Sequence, residues 1–310
     1  MEFKHIPVLL NETLDGLNIR DGLTYVDCTV GGAGHASELL KRNKTVKLVG
    51  IDQDIEAINA STKRLKEFEG RFTLVQDNFK NAPEILENLK IEKVDGVYAD
   101  LGVSSHQIDS AERGFSFRFD APLDMRMNKD SSLSAKEVVN NYSEQELKKV
   151  IKEFGEERFA SNIARRICES RKKEEIKTTK QLEDIILSAV PRYRGNDGSS
   201  NVQRTFQAIR IEVNKELDGL KEFIEQMVEK LNVGGRLAII TFHSLEDRIV
   251  KHTFRELATG CTCPSDFPIC VCGNKPKVKI ITNHPIVAEE KELLINRRSS
   301  SAKLRVIEKL

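Results

Sequence analysis

Three glycines and an aspartate roughly twenty residues beyond them are the part of this sequence best equipped for chemistry. Thr24 to Ala36 reads TYVDCTVGGAGHA: an apolar strand containing Tyr25 and Val26 runs into Gly31, Gly32 and Gly34, and a helix starts near His35. Glycines there let the backbone turn sharply and approach a ligand, and the N–H groups of the helix start point back over them. Glycine pairs after strands also make ordinary tight turns. KLVGIDQD then supplies a second apolar strand ending in Asp52, a carboxylate placed to accept hydrogen bonds from both hydroxyls of a ribose. Together these read as a site for a nucleotide-type cofactor. No pyrophosphate is required, because G-x-G-x-x-G breaks at Ser37, where close helix packing calls for Gly or Ala.

Other groups are candidates beside this loop. VDGVYADLGVSSHQ ends a strand in Asp100 and follows it with Gly102, Ser104 and Ser105. A carboxylate there orients a cationic cofactor or a substrate amine, or else Asp100 or Ser104 caps a helix. His243 ends a later strand at the same side and is a candidate positioning group, with Ser104, for a substrate. His5, His106, His252 and His284 take the structural reading, and Asp77 reads equally as a loop residue or a ligand contact. CTCPSDFPICVC places Cys261, Cys263, Cys270 and Cys272 as C-x-C-x6-C-x-C, which reads as a structural zinc site or as free thiols, since C-x2-C pairs are the commoner zinc spacing.

The elements that must position these residues alternate. Strands at 24–28, 47–52, 72–76 and 94–100 are separated by helices at 34–43, 55–67 and 82–89, which predicts a parallel α/β sheet with ligands at the carboxyl ends of its strands. Asp27, Asp52, Asp77 and Asp100 then face one crevice. From Asp109 to about Ser200 the strand pattern stops, and helical spacing predicts four helices, at 134–142, 143–153, 156–171 and 179–190. The rhythm returns with a long helix ending near Leu231, a buried strand at 237–241, a helix from Ser244 and a closing antiparallel pair at 277–281 and 304–307. The predicted organisation is therefore a sheet domain in two parts, 1–108 and 201–310, around a helical insertion at 109–200.

The insertion's ends, GFSFRFDAPLDMRM and PRYRGNDGSSNVQRTFQAIR, set Arg192, Arg194, Arg204 and Arg210 among aromatic residues, which reads either as single-stranded RNA binding or as a solvated helix face. Net charge is only +1, so any polyanion site is a local patch, and Lys275 to Leu310 carries nine basic residues against four acidic, an excess of five. The first residues hold too short an apolar run for a signal peptide, and six cysteines are too few for a disulfide scaffold, so a cytoplasmic protein is expected. From these residues a nicotinamide dehydrogenase and a noncatalytic RNA-binding protein both remain open.

HIPVLLNETL, DCTVGGAGHASELL, GIDQD, DLGVSSHQID, ERGFSF, PLDMRM, GEERFA, RTFQAIRIEVN and GGRLAIITFHSLEDRIVK resemble, in order and nearly throughout, the bacterial MraW/RsmH family. The resemblance implies a class I S-adenosylmethionine-dependent methyltransferase with a Rossmann-like sheet and an inserted all-helical domain for substrate recognition. It also implies methylation of the N4 amine of a cytosine in the decoding centre, the P site, of 16S rRNA in the small ribosomal subunit. S-adenosylmethionine would be met by Ala33, Gly34 and His35, by Asp52 at the ribose, by Phe79 beside the adenine, and by Asp100 and Gln107. Asp100 or a neighbouring backbone carbonyl is the candidate acceptor for the amine, with Asp100 the candidate catalytic residue, and Ser104, Arg204 and His243 are the candidate substrate contacts. Two features depart from wider patterns: the four-cysteine loop resembles a feature of only some members, and Asp100-Leu101-Gly102-Val103 stands where general amino-methyltransferases carry a D/N-P-P-Y type motif. Neither basic segment distinguishes an RNA cytosine from a DNA one.

Overall fold

The computed structural model describes residues 7–191, 197–263 and 272–310. The chain divides into two compact units, one made of residues up to 102 together with 218–310, the other of residues 103–217.

The first unit opens with α1 (Leu10–Leu17), then runs β1 (Thr24–Asp27), α2 (Gly34–Arg42), β2 (Lys47–Asp52), α3 (Ile55–Arg64), β3 (Phe72–Gln76), α4 (Ala82–Asn88) and β4 (Val94–Asp100). Local chemistry sets the helix starts. Asp54 caps α3 by accepting from Glu56 N at 3.0 Å, and Pro83 sits in the first turn of α4, where a missing N–H costs nothing. β1, β2 and β4 are largely buried on both faces, which is why they appear in the sequence as apolar runs without alternation.

The second unit holds α5 (Ser105–Asp109), α6 (Ala135–Asn141), α7 (Glu144–Gly155), α8 (Ala160–Arg171), α9 (Thr179–Ala189) and α10 (Ser199–Asn214). Capping boxes pair Ser104 with Gln107, Ser134 with Glu137, Ser143 with Glu146 and Thr178 with Gln181. Each satisfies two backbone donors that a helix start would otherwise leave orphaned. The unit's limits are wider than residues 109–200, for two reasons. The Ser104–Gln107 box starts α5 earlier, and α10 buries Val202, Phe206, Ile209 and Val213 in the same core as Leu147, Ile163 and Ile186. The long helix expected to end near Leu231 is two helices, because Lys215 ends α10 in the left-handed region at φ 50° and Gly219 starts the next at φ 71°.

The first unit resumes with α11 (Leu220–Lys230), β5 (Leu231–Thr241), α12 (Ser244–Ala258), β6 (Val278–Ile280), α13 (Glu290–Ile295) and β7 (Lys303–Lys309). β5 begins six residues before the expected 237, and the pairing with β4 shifts register between Val94 and Gly96, beside the Gly234–Gly235 turn. The sheet order is β3-β2-β1-β4-β5-β7-β6, parallel through β5, with β7 antiparallel to both neighbours. This is the α/β, Rossmann-like arrangement of a class I methyltransferase sheet. Ile85 and Leu86 of α4, Phe223, Ile224 and Met227 of α11, and Val250 and Phe254 of α12 share one core with the strands. Leu14 and Leu17 of α1 and Leu39 and Leu40 of α2 share the other. Each such side chain contributes about 1.5–3 kcal/mol relative to exposure.

The basic tail is partly neutralised by ion pairs. Lys277 and Lys309 meet Glu229 at 2.8 and 3.5 Å, and Arg305 and Lys303 meet Asp247 at 2.6 and 3.3 Å. Among the described residues no helix is long and apolar enough to cross a membrane.

Candidate functional site

Strand order reverses direction between β1 and β4, and in open α/β sheets the crevice at such a point is where ligands bind. The glycine loop leaves β1 here. Gly31 takes φ 50°, its N–H donates to Asp52 Oδ2 at 2.8 Å, and its carbonyl accepts from Ser61 Oγ at 2.6 Å. Arg64 Nη1 donates to the Gly32 carbonyl at 3.0 Å, so α3 fixes the loop from behind. Ala33, fully buried, also sits at φ 55°, a conformation that costs a residue with a Cβ about 1–3 kcal/mol. Held in this way, the loop aims the first turn of α2, and with it the backbone of Gly34 and His35, at the carboxyl end of the sheet.

Gly34 and His35 play parts that their residue types alone do not reveal. A Cβ on Gly34 would lie 2.4 Å from Pro7 Cγ, so the bare Cα serves the packing of the chain's start against α2. Gly34→Ala is therefore expected to lower stability by about 1–3 kcal/mol through overpacking. Thermal unfolding checks it, and an unchanged Tm would show that Pro7 moves aside freely. The His35 imidazole is buried, with Nε2 donating to the Val8 carbonyl at 3.0 Å and its ring 5.7 Å from that of Tyr98. The His35 ring is thus held by Val8 and Tyr98.

Three carboxyls gather at the strand ends. Asp27 is buried, accepts from Tyr98 Oη at 2.6 Å and from Thr29 N at 3.1 Å, and is pushed by burial to about 7. Asp52 is pushed by burial to about 6, even though the N–H groups of Asp54 and Gly31, one on each of its oxygens, pull the other way. A hydrogen bond from the Gln53 N–H pulls it down as well. Asp100 has its N–H anchored on Thr29 Oγ1 at 2.6 Å, while its Oδ1 is buried with no hydrogen-bond partner among the described residues. Burial, and then the like charges of Asp27, Glu246 and Glu292, push Asp100 well above the usual carboxylate range. A buried acceptor without a donor is costly, and an arriving cation or N–H group removes that cost.

Phe79 opens a short turn after β3 and packs edge-on against Phe223, ring centroids 4.9 Å apart. Asp77 is occupied structurally, accepting from Asn78 N at 2.7 Å and Asn81 Nδ2 at 2.8 Å. His243 caps α12. Its Nδ1 faces Glu246 N at 3.4 Å, its Nε2 lies 3.1 Å from Glu246 Oε1 outside hydrogen-bonding alignment, and Glu246 Oε2 accepts from Phe242 N at 2.9 Å. Both imidazole nitrogens thus face one glutamate.

Within the helical unit, Ser104 and Gln107 satisfy each other's backbone: Gln107 N donates to Ser104 Oγ at 3.2 Å and Ser104 N to Gln107 Oε1 at 3.0 Å. Arg204 Nε donates to buried Glu157 at 2.7 Å, and Arg210 pairs with Glu216 at 2.8 Å. Arg192 and Arg194 lie outside the described residues. Of the four cysteines, Cys261, Cys263 and Cys272 bring their sulfurs within 4.8 Å of one another, and Cys270 lies outside the described residues.

Sequence reasoning missed Tyr98, Thr29 and Glu246. Tyr98 is paired in register with Asp27 across β1 and β4, and the only local signal for it was a charged residue, Asp27, inside an apolar strand, which demands a buried donor.

The family model described as the MraW methylase family matches residues 2–310. A relative from Clostridium botulinum (strain 657 / Type Ba4), called ribosomal RNA small subunit methyltransferase H, is 57% identical over 311 residues, covering 100% of both chains. Relatives of the same name from Lachnospira eligens and Finegoldia magna are 53% and 51% identical, covering 100% of this chain and 99% and 100% of theirs. A solved rRNA methylase from Streptococcus thermophilus is similar at 14% identity and a TM-score of 0.42, covering 99% of each chain.

Proposed function

The chain belongs to the MraW methylase family, and from that premise we propose that it transfers a methyl group from S-adenosylmethionine to the N4 amine of a cytosine in the decoding centre of 16S rRNA, acting in the cytoplasm on the small ribosomal subunit. The full-length relatives named as small-subunit rRNA methyltransferases support the substrate class. The observation that carries the chemistry is the buried Oδ1 of Asp100, without a hydrogen-bond partner among the described residues and set among neighbouring carboxyls. Burial disfavours the charged forms of these carboxyls, so a donor bearing a sulfonium and an ammonium would relieve that cost, and an acceptor with no donor of its own suits an amine N–H.

When bound, S-adenosylmethionine supplies an electrophilic methyl group on sulfur. In this reading the backbone of Ala33, Gly34 and His35 lines the donor, Asp52 accepts from the ribose hydroxyls, and Phe79 borders the adenine. Asp100 orients the exocyclic amine by accepting its N–H, which favours the pyramidal nitrogen that attacks. The amine's lone pair is delocalised into the ring, so holding nitrogen in near-attack geometry matters more than a strong base. The target cytosine leaves its stack to be reached, as other enzymes acting on bases require. Ser104 and Arg204, in the helical unit read as the substrate-recognition domain, enter as substrate contacts, and His243 enters through the α12 start that it caps.

Incubating the protein with methyl-labelled S-adenosylmethionine and small subunits lacking the modification, then digesting the rRNA to nucleosides, tests this. Stoichiometric label in N4-methylcytidine is the expected result. Label in another nucleoside, or label in cytosine-containing DNA and not in subunits, overturns the substrate assignment.

A further inference from the structure

We propose that Cys261, Cys263 and Cys272 hold a structural zinc ion that pins the loop between α12 and β6. The sulfurs of Cys261 and Cys272 stand 3.7 Å apart. That is far beyond a ~2.05 Å disulfide bond. It matches the sulfur–sulfur edge of about 3.8 Å that follows from Zn–S bonds of about 2.3 Å in a tetrahedron. All three sulfurs lie within 4.8 Å of one another, a separation that one ion can bridge.

Backbone N–H groups are aimed at two of the three sulfurs. Thr262 N and Asn274 N point at Cys272 Sγ at 3.4 and 3.5 Å, and Cys272 N points at Cys263 Sγ at 3.3 Å. N–H groups aimed at sulfur favour its charged form, the form that binds metal. Three like charges so close would repel one another without a cation among them.

The surroundings supply a reason for a metal. Cys261 and Cys272 are exposed, so the cluster has little apolar packing with which to order itself. The loop's neck is instead tied by Asn274 Nδ2, which donates to the carbonyls of Thr259 and Gly260 at 3.2 and 2.8 Å, and by Lys277 N on the Leu257 carbonyl at 2.8 Å. These bonds bring the C-x-C at 261–263 and Cys272 together. A soft, thiolate-preferring ion with no redox chemistry of its own then does for the loop what burial does elsewhere.

The test is elemental analysis of the full-length protein purified without chelator under reducing conditions. About one zinc per chain is expected, falling below a tenth of that in the Cys261→Ser, Cys263→Ser, Cys272→Ser variant, while Cys168→Ser, in the helical unit, keeps it. In case the triple variant misfolds, cobalt is exchanged into the wild-type protein, where thiolate-to-cobalt charge-transfer absorption and tetrahedral d–d bands are expected. Zinc-free protein that takes up neither metal on anaerobic dialysis overturns the proposal. So do iron in zinc's place, a Cys261–Cys272 disulfide detected by mass, and undiminished zinc in the triple variant. Each readout is independent of methyl transfer.

Discussion

Asp100→Asn is expected to slow single-turnover methyl transfer, with donor and subunits saturating, by about 10²- to 10³-fold, the usual loss when one preorganised polar contact to the reacting group is removed. It is also expected to make the ligand-free protein more stable. Asp100 is buried, its Oδ1 has no hydrogen-bond partner among the described residues, and Asp27, Glu246 and Glu292 crowd it, so its charged form is disfavoured in the fold. An amide of the same shape carries no charge and presents an N–H₂ to those neighbours. A gain of about 1–2 kcal/mol, or a Tm rise of roughly 2–8 °C, follows.

The gain should depend on pH with a definite sign. A carboxyl whose folded value is raised contributes stability that is complete below its unfolded value and is lost as pH rises through the folded one. Asp27 and Asp52 leave 3.8 for about 7 and about 6, and Asp100 moves in the same direction. The wild-type protein without donor therefore loses stability on account of these groups as pH climbs from the acid range through neutrality. The advantage of Asp100→Asn should accordingly grow between pH 5 and pH 8. Calorimetry across that range, beside rapid-quench methyl transfer, checks both halves. An unchanged rate removes Asp100 from the chemistry, and a Tm difference that is flat with pH removes the charge argument.

The sheet could be read from the sequence because parallel strands buried on both faces are written as short apolar runs, and those of β1, β2 and β4 end in Asp27, Asp52 and Asp100. The capped helices were legible for a similar local reason, since Ser134, Ser143 and Thr178 each stand three residues before the Glu or Gln that completes the box. What escaped depends on pairings between distant residues or on backbone angles that residue type does not announce. Lys215 takes a left-handed conformation normally given to glycine, so the break between α10 and α11 left no mark. Asp27 and Tyr98 meet only because β1 and β4 pair in a particular register. Gly34 looked like a ligand-facing glycine, yet its missing Cβ makes room for Pro7. His243 looked like a lone histidine at a strand end, and only the start of α12 shows it paired with Glu246.

Arg204 illustrates how far a residue type can carry two roles, and Arg204→Ala should separate them. The Glu157 side chain is fully buried and held by Arg204 Nε at 2.7 Å and by Asn201 Nδ2 at 3.1 Å from each oxygen. Removing the guanidinium leaves a buried carboxylate without its cation, which costs about 3–5 kcal/mol in closed interiors. The Arg204 side chain is 37% exposed, so water can follow it in, and the low end of that range applies. A Tm loss of roughly 10 °C is expected. Adding Glu157→Gln removes the stranded charge, keeps an acceptor for Asn201, and should restore most of the stability. The Nε bond to Glu157 also holds the exposed remainder of the guanidinium in one orientation, as a contact to a phosphate requires. The double variant, stable again, should therefore keep a raised KM for small subunits and a salt dependence of that KM shallower by about one unit of log–log slope. If KM and slope both return to wild type with the stability, Arg204 serves only to neutralise Glu157. If the second substitution restores no stability, the ion pair is not what Arg204→Ala broke.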